Sequence, residues 1–221
     1  MGTITELGIS GYLAKPIGKG PWPALIVIQE WWGLDAQTKT MADRFAAAGY
    51  LAFAPDLFHG DLAQLGDNQT AMTLIQKYAP GASAELQKVY DALKTSPDCN
   101  GKVGTVGFCF GGQMALALGI SRPLDALCTF YGGGMQQVFD RLGTLKSPVL
   151  GLYGDQDQTF PPGTLEQFDL LLDKVGVEHE VIVYPNAGHA FMRDSDPSTY
   201  RPEAAKDAWE RTTKFLAKNL N

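Results

Sequence analysis

The stretch KVGTVGFCFGGQMALALGI, residues 102–120, decides the fold of this chain. An apolar run at 102–108 predicts a strand, and the run at 111–120 predicts a helix almost directly after it. The junction has the form G-x-C-x-G around Cys109, the thiol counterpart of the G-x-S-x-G elbow, which holds a nucleophile on a strained strand-to-helix turn. The glycines two residues before and after Cys109 lack the Cβ atoms that would clash with such a turn. Free N–H groups at the helix N-terminus would favour the thiolate form of this cysteine.

Cys109 also has a plainer interpretation. Most free cysteines are buried and inert, so this one could be a small packing residue beside glycines. A nucleophile, in contrast, needs a base and an acid at the same end of the sheet. In open α/β sheets that end is the carboxyl end of the strands, so the loops there distinguish the two interpretations.

Short apolar runs alternate with longer amphipathic ones along the whole chain. This alternation predicts an α/β fold with a mostly parallel central sheet and helices on both faces. The stretch ISGYLAKP is expected to add an antiparallel edge strand, and residues 1–221 are expected to form one domain. The predicted strands are 24–30, 51–56, 102–108, 126–132, 148–154 and 179–185, and the predicted helices are 37–50, 69–96 with a break at Pro80-Gly81, 111–120, 162–176 and 201–220.

The composition is that of an ordinary soluble protein, with 45% hydrophobic and 19% charged residues and a net charge of −6. A negative chain without a basic stretch argues against a nucleic-acid partner. No apolar run approaches the roughly 18 residues of a membrane helix, so no membrane partner is expected. The N-terminus lacks the basic and apolar regions of a signal peptide, which predicts a cytoplasmic protein. Three cysteines without CxxC spacing, with only three histidines, argue against a structural zinc site.

Three histidines are candidates for the base. His179 opens a predicted strand and is expected at the surface, whereas His59 lies in the loop after strand 51–56, at the correct end of the sheet. His189 lies in NAGHAF, directly after strand 179–185. Because α/β-hydrolases place nucleophile, acid and base in that chain order, His189 is the histidine that fits.

The acid is expected after strand 148–154, in the segment YGDQDQTFP. Its role would be to accept the imidazole N–H and to stabilise the imidazolium. Asp155 and Asp157 both lie there, and either could instead be an ordinary turn residue. Residue types and chain order do not decide which of the two carboxylates is the acid.

Together these segments resemble the dienelactone hydrolase family, which are α/β-hydrolases with a Cys-His-Asp triad. The resemblance covers most of the chain and is carried by QEWWGLD (29–35), APDLF (54–58), GKVGTVGFCFGG (101–112), YGG (131–133), GDQDQTFP (154–161) and AGHAFMR (187–193). It implies an α/β-hydrolase fold and Asp157 as the acid, since Asp157 matches the family's G-x-x-D-x-x-x-P pattern. It also implies that Glu30 lies beside the nucleophile and takes part in activating it.

The oxyanion hole of this fold uses the N–H of the residue after the nucleophile, here Phe110. The family resemblance gives Trp31 as the second donor. It also matches Arg193 to one of two arginines that hold a substrate carboxylate. The loop after APDLF has no second arginine and carries His59 instead, which leaves the substrate open. The other residues expected to bind substrate are Trp32, Phe58 and Tyr131, for each of which core packing is the plainer alternative.

The function expected from these observations is hydrolysis of a lactone or carboxylic ester through a covalent thioester on Cys109. No cofactor or metal is expected. The expected partner is a small-molecule ester or lactone, and the protein is expected to be a monomer or a weak homo-oligomer. Two alternatives differ in class. The first is a non-catalytic small-molecule-binding protein on the same scaffold. The second is a redox-sensing thiol, against which stand the expected positions of Cys128 in a strand core and Cys99 in a loop.

Overall fold

Apolar and β-branched runs form one eight-stranded sheet in the computed structural model, which describes residues 2–221. The strands are β1 (Thr3–Leu7), β2 (Ile9–Ala14), β3 (Trp22–Ile28), β4 (Leu51–Pro55), β5 (Cys99–Phe108), β6 (Ala126–Phe130), β7 (Val149–Gly154) and β8 (His179–Tyr184). Their order is β1-β2-β4-β3-β5-β6-β7-β8. Strands β3 to β8 pair in parallel, and β2 pairs antiparallel with both β1 and β4.

Helices cover both faces of this sheet. They are α1 (Ala36–Ala47), α2 (Asn68–Lys94), α3 (Phe110–Ser121), α4 (Thr164–Val175) and α5 (Pro202–Leu220), with a 3-10 segment at Met135–Thr144. Leu86, Leu116 and Phe168 bring α2, α3 and α4 into the core on one face. Phe45 and Leu216 bring α1 and α5 into a second core on the other face. The predicted α/β architecture is confirmed.

No helix within residues 2–221 combines the length and the apolar character that crossing a bilayer requires.

The parallel register aligns the carboxyl ends of five strands. Ile28 pairs with Gly107, Phe108 with Phe130, Phe130 with Leu152, and Gly154 with Tyr184. Because these ends meet at one edge, the residues that follow each strand also meet there. Strands β3 and β6 end two residues earlier than expected. Glu30 and Tyr131, both predicted inside strands, therefore lie in loops at this edge.

The predicted break at Pro80-Gly81 is wrong, because α2 runs through both residues without interruption. Proline removes one backbone hydrogen bond and normally ends or kinks a helix. Here Leu74 and Leu86, on either side of Pro80, are buried in the same core. Tertiary packing therefore outweighs the local preference of the proline.

The N-terminal stretch also differs from expectation. The antiparallel strand β2 exists, but β1 lies outside it and forms the edge of the sheet. Gly8, with φ of 79°, makes the tight connection between the two strands. Two smaller expectations are wrong as well. His179 is mostly buried, with 12% of its side chain exposed, and Cys99 is the first residue of β5 rather than a loop residue.

The elbow depends on the missing side chain of Gly107. A Cβ atom at this position would lie 1.9 Å from the carbonyl oxygen of Gly111, a backbone atom that cannot move aside. We expect Gly107→Ala to lower the free energy of unfolding by about 3 kcal/mol or more, because it forces β5 and α3 apart. Urea unfolding followed by circular dichroism measures this change.

Gly81→Ala is the matched control for that substitution. A Cβ atom at Gly81 meets nothing within 4 Å, and the residue lies inside α2. Alanine should therefore stabilise the protein by about 0.5–1 kcal/mol through helix propensity. Equal effects of the two substitutions would contradict the close approach at the elbow.

Candidate active site

Cys109 lies at the apex of the turn between β5 and α3. Its φ of 54° is in the left-handed region, which is strained for a residue with a side chain. Its N–H donates to the Phe130 carbonyl at 3.0 Å, and its own carbonyl accepts from the Gly112 N–H at 2.9 Å. These bonds hold the strained backbone in place. Cys109 is partly exposed, unlike the fully buried Cys128, whose pKa is raised by burial.

His189 and Asp157 lie against each other in the loops that follow β8 and β7. Nδ1 of His189 is 2.7 Å from Oδ2 of Asp157, whose side chain is completely buried. The second carboxylate oxygen of Asp157 accepts from the N–H of Thr159 at 2.9 Å and from its hydroxyl at 2.6 Å. Of the two carboxylates that the sequence leaves open, Asp157 is therefore the one that contacts His189.

The ionisation of this pair follows from its surroundings. Burial raises the pKa of Asp157, but hydrogen bonds from His189 and Thr159 outweigh it and lower the pKa. Burial lowers the pKa of His189, but hydrogen bonds and charge interactions with Asp157 and Cys109 outweigh it and raise the pKa to about 10. The arrangement thus favours an imidazolium held between a carboxylate and the sulfur of Cys109.

Glu30 is buried beside this group with only 6% of its surface exposed. Its Oε1 accepts from the Tyr131 hydroxyl at 3.2 Å, and its Oε2 accepts from Nη1 of Arg193 at 2.7 Å. Burial raises the pKa of Glu30, and the charges of Arg193 and His189 only partly offset this effect. Tyr131 has a strained φ of 36°, and its ring lies 5.1 Å from that of His189, so this tyrosine contacts both groups.

Arg193, expected to hold substrate, is almost fully engaged within the protein. Its Nη2 donates to Oδ2 of Asp35 at 2.5 Å, while its Nη1 is bonded to Glu30. It is 6% exposed, and its Nε has no hydrogen-bond partner among the described residues. The same Asp35 caps α1 by accepting from the Thr38 N–H at 2.9 Å. The guanidinium therefore joins two carboxylates on the loop between β3 and α1.

The two expected oxyanion donors lie on segments that touch. Phe110 is the first residue of α3, where N–H groups have no partner within the helix. Trp31 lies in the loop after β3. That loop packs on the first turn of α3, since a Cβ atom at Gly111 would lie 2.6 Å from the Gln29 carbonyl oxygen. Both N–H groups thus belong to segments in direct contact beside Cys109.

The remaining expected substrate residues divide into buried and exposed groups. Trp32 and Phe58 are buried, and the Phe58 ring lies 5.9 Å from that of Phe110. His59 is half-exposed, and its Nε2 lies 3.1 Å from a Glu85 carboxylate oxygen. Phe58 is therefore close to the elbow through Phe110, whereas His59 is paired at the outer side of its loop.

The model of one protein family, described as the dienelactone hydrolase family, matches residues 9–220. This chain belongs to the dienelactone hydrolase family. The curated relatives of this chain support the same family assignment. A candidate carboxymethylenebutenolidase from Methylorubrum extorquens is 34% identical over 219 residues, which cover 92% of this chain and 74% of that protein. As a member of this family the chain is a hydrolase of lactone or ester bonds.

Solved structures are similar over nearly the whole chain. A candidate dienelactone hydrolase from Klebsiella pneumoniae has a TM-score of 0.85 and 28% identity, covering 98% of both chains. A dienelactone hydrolase-like promiscuous phosphotriesterase from metagenomic libraries has the same TM-score and 25% identity, covering 100% of this chain and 97% of that one. The α/β-hydrolase fold expected from the sequence is confirmed.

Sequence reasoning missed two residues that hold side chains of the candidate site in place. Asp35 is the last residue of the QEWWGLD segment and caps α1. An aspartate just before a predicted helix is a typical N-cap, so the sequence did indicate this role. Thr159 follows Asp157 by two residues, a spacing that allows a hydroxyl to bond back to an aspartate. The ion pair between Asp35 and Arg193 joins positions 158 residues apart and has no local signal.

The raised pKa of His189 can be measured directly by nitrogen-15 NMR of its ring. We expect half-titration near pH 10, and Asp157→Asn should lower it because it removes the facing charge. Since this folded-state pKa is above the ordinary 6.5, the imidazolium stabilises the fold fully below pH 6.5, and the contribution is lost as the pH rises through about 10.

Asp155→Asn provides the control, because this neighbouring carboxylate has no hydrogen bond to His189 in the described structure. This substitution should leave the pKa of the His189 ring unchanged. A wild-type titration near pH 6.5, or equal shifts in the two variants, would contradict the assigned pairing.

Proposed function

We propose that the protein cleaves lactones or carboxylic esters through a thioester on Cys109, with His189 as general acid and base and Asp157 as its partner. One observation carries this proposal: the 2.7 Å contact between His189 and a fully buried Asp157, at the strand edge where Cys109 occupies a strained elbow. A packing cysteine needs neither partner. The family membership supports the same reaction class.

Acylation begins from the thiolate of Cys109 and the imidazolium of His189. The sulfur attacks the acyl carbon, and the carbonyl electron pair moves to oxygen, giving a tetrahedral oxyanion. The N–H groups of Trp31 and Phe110 would stabilise this charge as it develops. Collapse of the intermediate expels the alcohol oxygen, which takes the proton from His189 and leaves a thioester and a neutral imidazole.

Deacylation uses the same groups in reverse. Neutral His189 takes a proton from water, and the hydroxide attacks the thioester carbon. The second tetrahedral intermediate expels the thiolate and releases the carboxylic acid, so His189 returns as imidazolium. Asp157 fixes the ring tautomer in both steps through its bond to Nδ1. The cycle consumes one water and needs no redox partner.

Glu30 fits a supporting role in this cycle. Its charge interacts with that of His189, and Tyr131 connects it with the Cys109 side of the site. The opposite charges of Glu30 and His189 attract, so an ionised Glu30 favours the imidazolium that protonates the leaving alcohol. This matches the activating role that the family resemblance implies for Glu30.

The proposal also includes a cytoplasmic location and a small-molecule partner. All three cysteines are free, which supports a reducing compartment such as the cytoplasm. The expected partner is a small ester or lactone, and the expected assembly is a monomer or weak homo-oligomer.

Steady-state hydrolysis of p-nitrophenyl acetate and of a simple aromatic lactone tests the reaction. Cys109→Ala should lower kcat by at least about a thousandfold, because the covalent step is lost. Cys99→Ala, which removes a free thiol at the start of β5, should retain wild-type turnover.

Activity of Cys109→Ala at the wild-type level would contradict the mechanism. Tight ligand binding without turnover of any ester by the wild-type protein would instead favour a binding protein on this scaffold.

A further inference from the structure

The cation nearest to Glu30 is not free to receive a substrate carboxylate. Both terminal nitrogens of Arg193 already contact carboxylates, Nη1 at Glu30 and Nη2 at Asp35, and the residue is buried. With Glu30 ionised, the three side chains carry one net negative charge, and with Glu30 protonated they carry none. Bidentate capture of a carboxylate needs an arginine with an unoccupied edge. In either state this cluster offers no net positive charge to an anionic substrate.

The loop after β4, on the other side of the elbow, does not supply a substitute. Its His59 is paired with Glu85 at 3.1 Å, and Lys77 of the adjoining helix α2 is paired with Asp61 at 3.0 Å. Both side chains are exposed as well as paired. A substrate anion would therefore have to displace a carboxylate from either side chain. Ion pairs between exposed groups are weak because water screens the charges, so an anion bound there would also be held weakly.

Apolar side chains line this loop instead. Phe58 lies between the ring of Phe110, at 5.9 Å, and that of Tyr78, at 5.4 Å, so an aromatic row leads outward from the elbow. Further along the same segment, Leu62 and Leu65 are each about half exposed. Contiguous apolar patches at a surface commonly mark a binding site, whereas single apolar side chains do not.

Of the two leucines, Leu62 is fixed next to the expected oxyanion donor. The Ala63 N–H donates to the Trp32 carbonyl at 3.0 Å, which joins the loop to the residue after Trp31. Leu62 also packs on the same turn, since its Cδ2 lies 2.8 Å from the Cβ position of Gly33. We call Trp31, Leu62 and Leu65 the apolar rim, which lies over the buried ring of Phe58. An acyl or alcohol group that extends from the reacting carbonyl can cover it.

We infer that this protein takes uncharged esters and lactones whose apolar group lies on the apolar rim, and that it discriminates against substrates carrying a carboxylate near the reacting bond. This inference rests on the proposed hydrolysis by Cys109 and adds its substrate class. Burying an alkyl chain against the rim is favourable, and more so with each added methylene. An anion placed beside the Glu30 cluster is disfavoured by desolvation and by like charge.

Two esters of equal length and leaving group separate these contributions. p-Nitrophenyl pentanoate ends in a methyl group, and the mono-p-nitrophenyl ester of glutaric acid ends in a carboxylate. After subtraction of spontaneous hydrolysis, we expect kcat/KM to be at least about tenfold higher for pentanoate. An equal or higher kcat/KM for the glutarate ester would overturn the inference.

Two variants test the causes separately. Asp35→Asn keeps an acceptor that can cap α1 but removes one charge facing Arg193. The ratio of kcat/KM for the pentanoate ester to kcat/KM for the glutarate ester should therefore fall several-fold. The double change Leu62→Ser, Leu65→Ser should lower kcat/KM for pentanoate about five- to tenfold while sparing p-nitrophenyl acetate. Leu170→Ser, at an exposed leucine of α4, is the matched control and should leave both rates unchanged.

The outcomes distinguish this inference from the function on which it rests. If neither ester is turned over and Cys109 is not acylated, the proposed function itself fails. If both esters are turned over through Cys109 but the preference for pentanoate is absent, or is unmoved by Asp35→Asn and by the rim change, only the substrate class is wrong.

Discussion

The backbone at Cys109 is the constraint on which the rest of the site depends. A left-handed φ at a residue with a side chain is held only because its neighbours allow no alternative. Gly107 and Gly111 permit β5 to approach α3 and the loop after β3 closely enough to make that turn. The parallel register then brings the ends of β7 and β8 to the same edge, where Asp157 and His189 meet. The geometry of the candidate triad is thus a consequence of strand alignment.

A second constraint is the buried cluster of Glu30, Arg193 and Asp35. It joins the loop after β3 to the loop after β8, across 163 positions of the chain between Glu30 and Arg193. Removing charges from water is costly, so such a cluster persists only when its geometry is good and each charge has an opposite charge in contact with it. Here it orients a carboxylate beside His189 and caps α1 at once. The same contacts occupy the arginine, and the substrate preference that we infer depends on them.

Much of the fold could be read from local sequence, and the reasons are physical. The elbow around Cys109 is a short-range pattern whose glycines and flanking elements are adjacent in the chain. The candidate acid and base follow strands, so their loops could be located once the alternation of strands and helices was recognised. The helix break predicted at Pro80 is wrong because burial of the residues on both sides outweighs the tendency of proline to end a helix. The pairing of Arg193 could not be foreseen, since it depends on two loops that only the folded sheet brings together.

The central claim is that an acyl group is carried by Cys109 between the two halves of the reaction. Rapid acid quenching of the enzyme during turnover of p-nitrophenyl pentanoate, followed by peptide mass spectrometry, tests it most directly. The account predicts a pentanoyl mass increment on the peptide containing Cys109, abolished in Cys109→Ala and removed by neutral hydroxylamine, which cleaves thioesters. An unmodified Cys109 during steady turnover, or the increment on another residue, would contradict it.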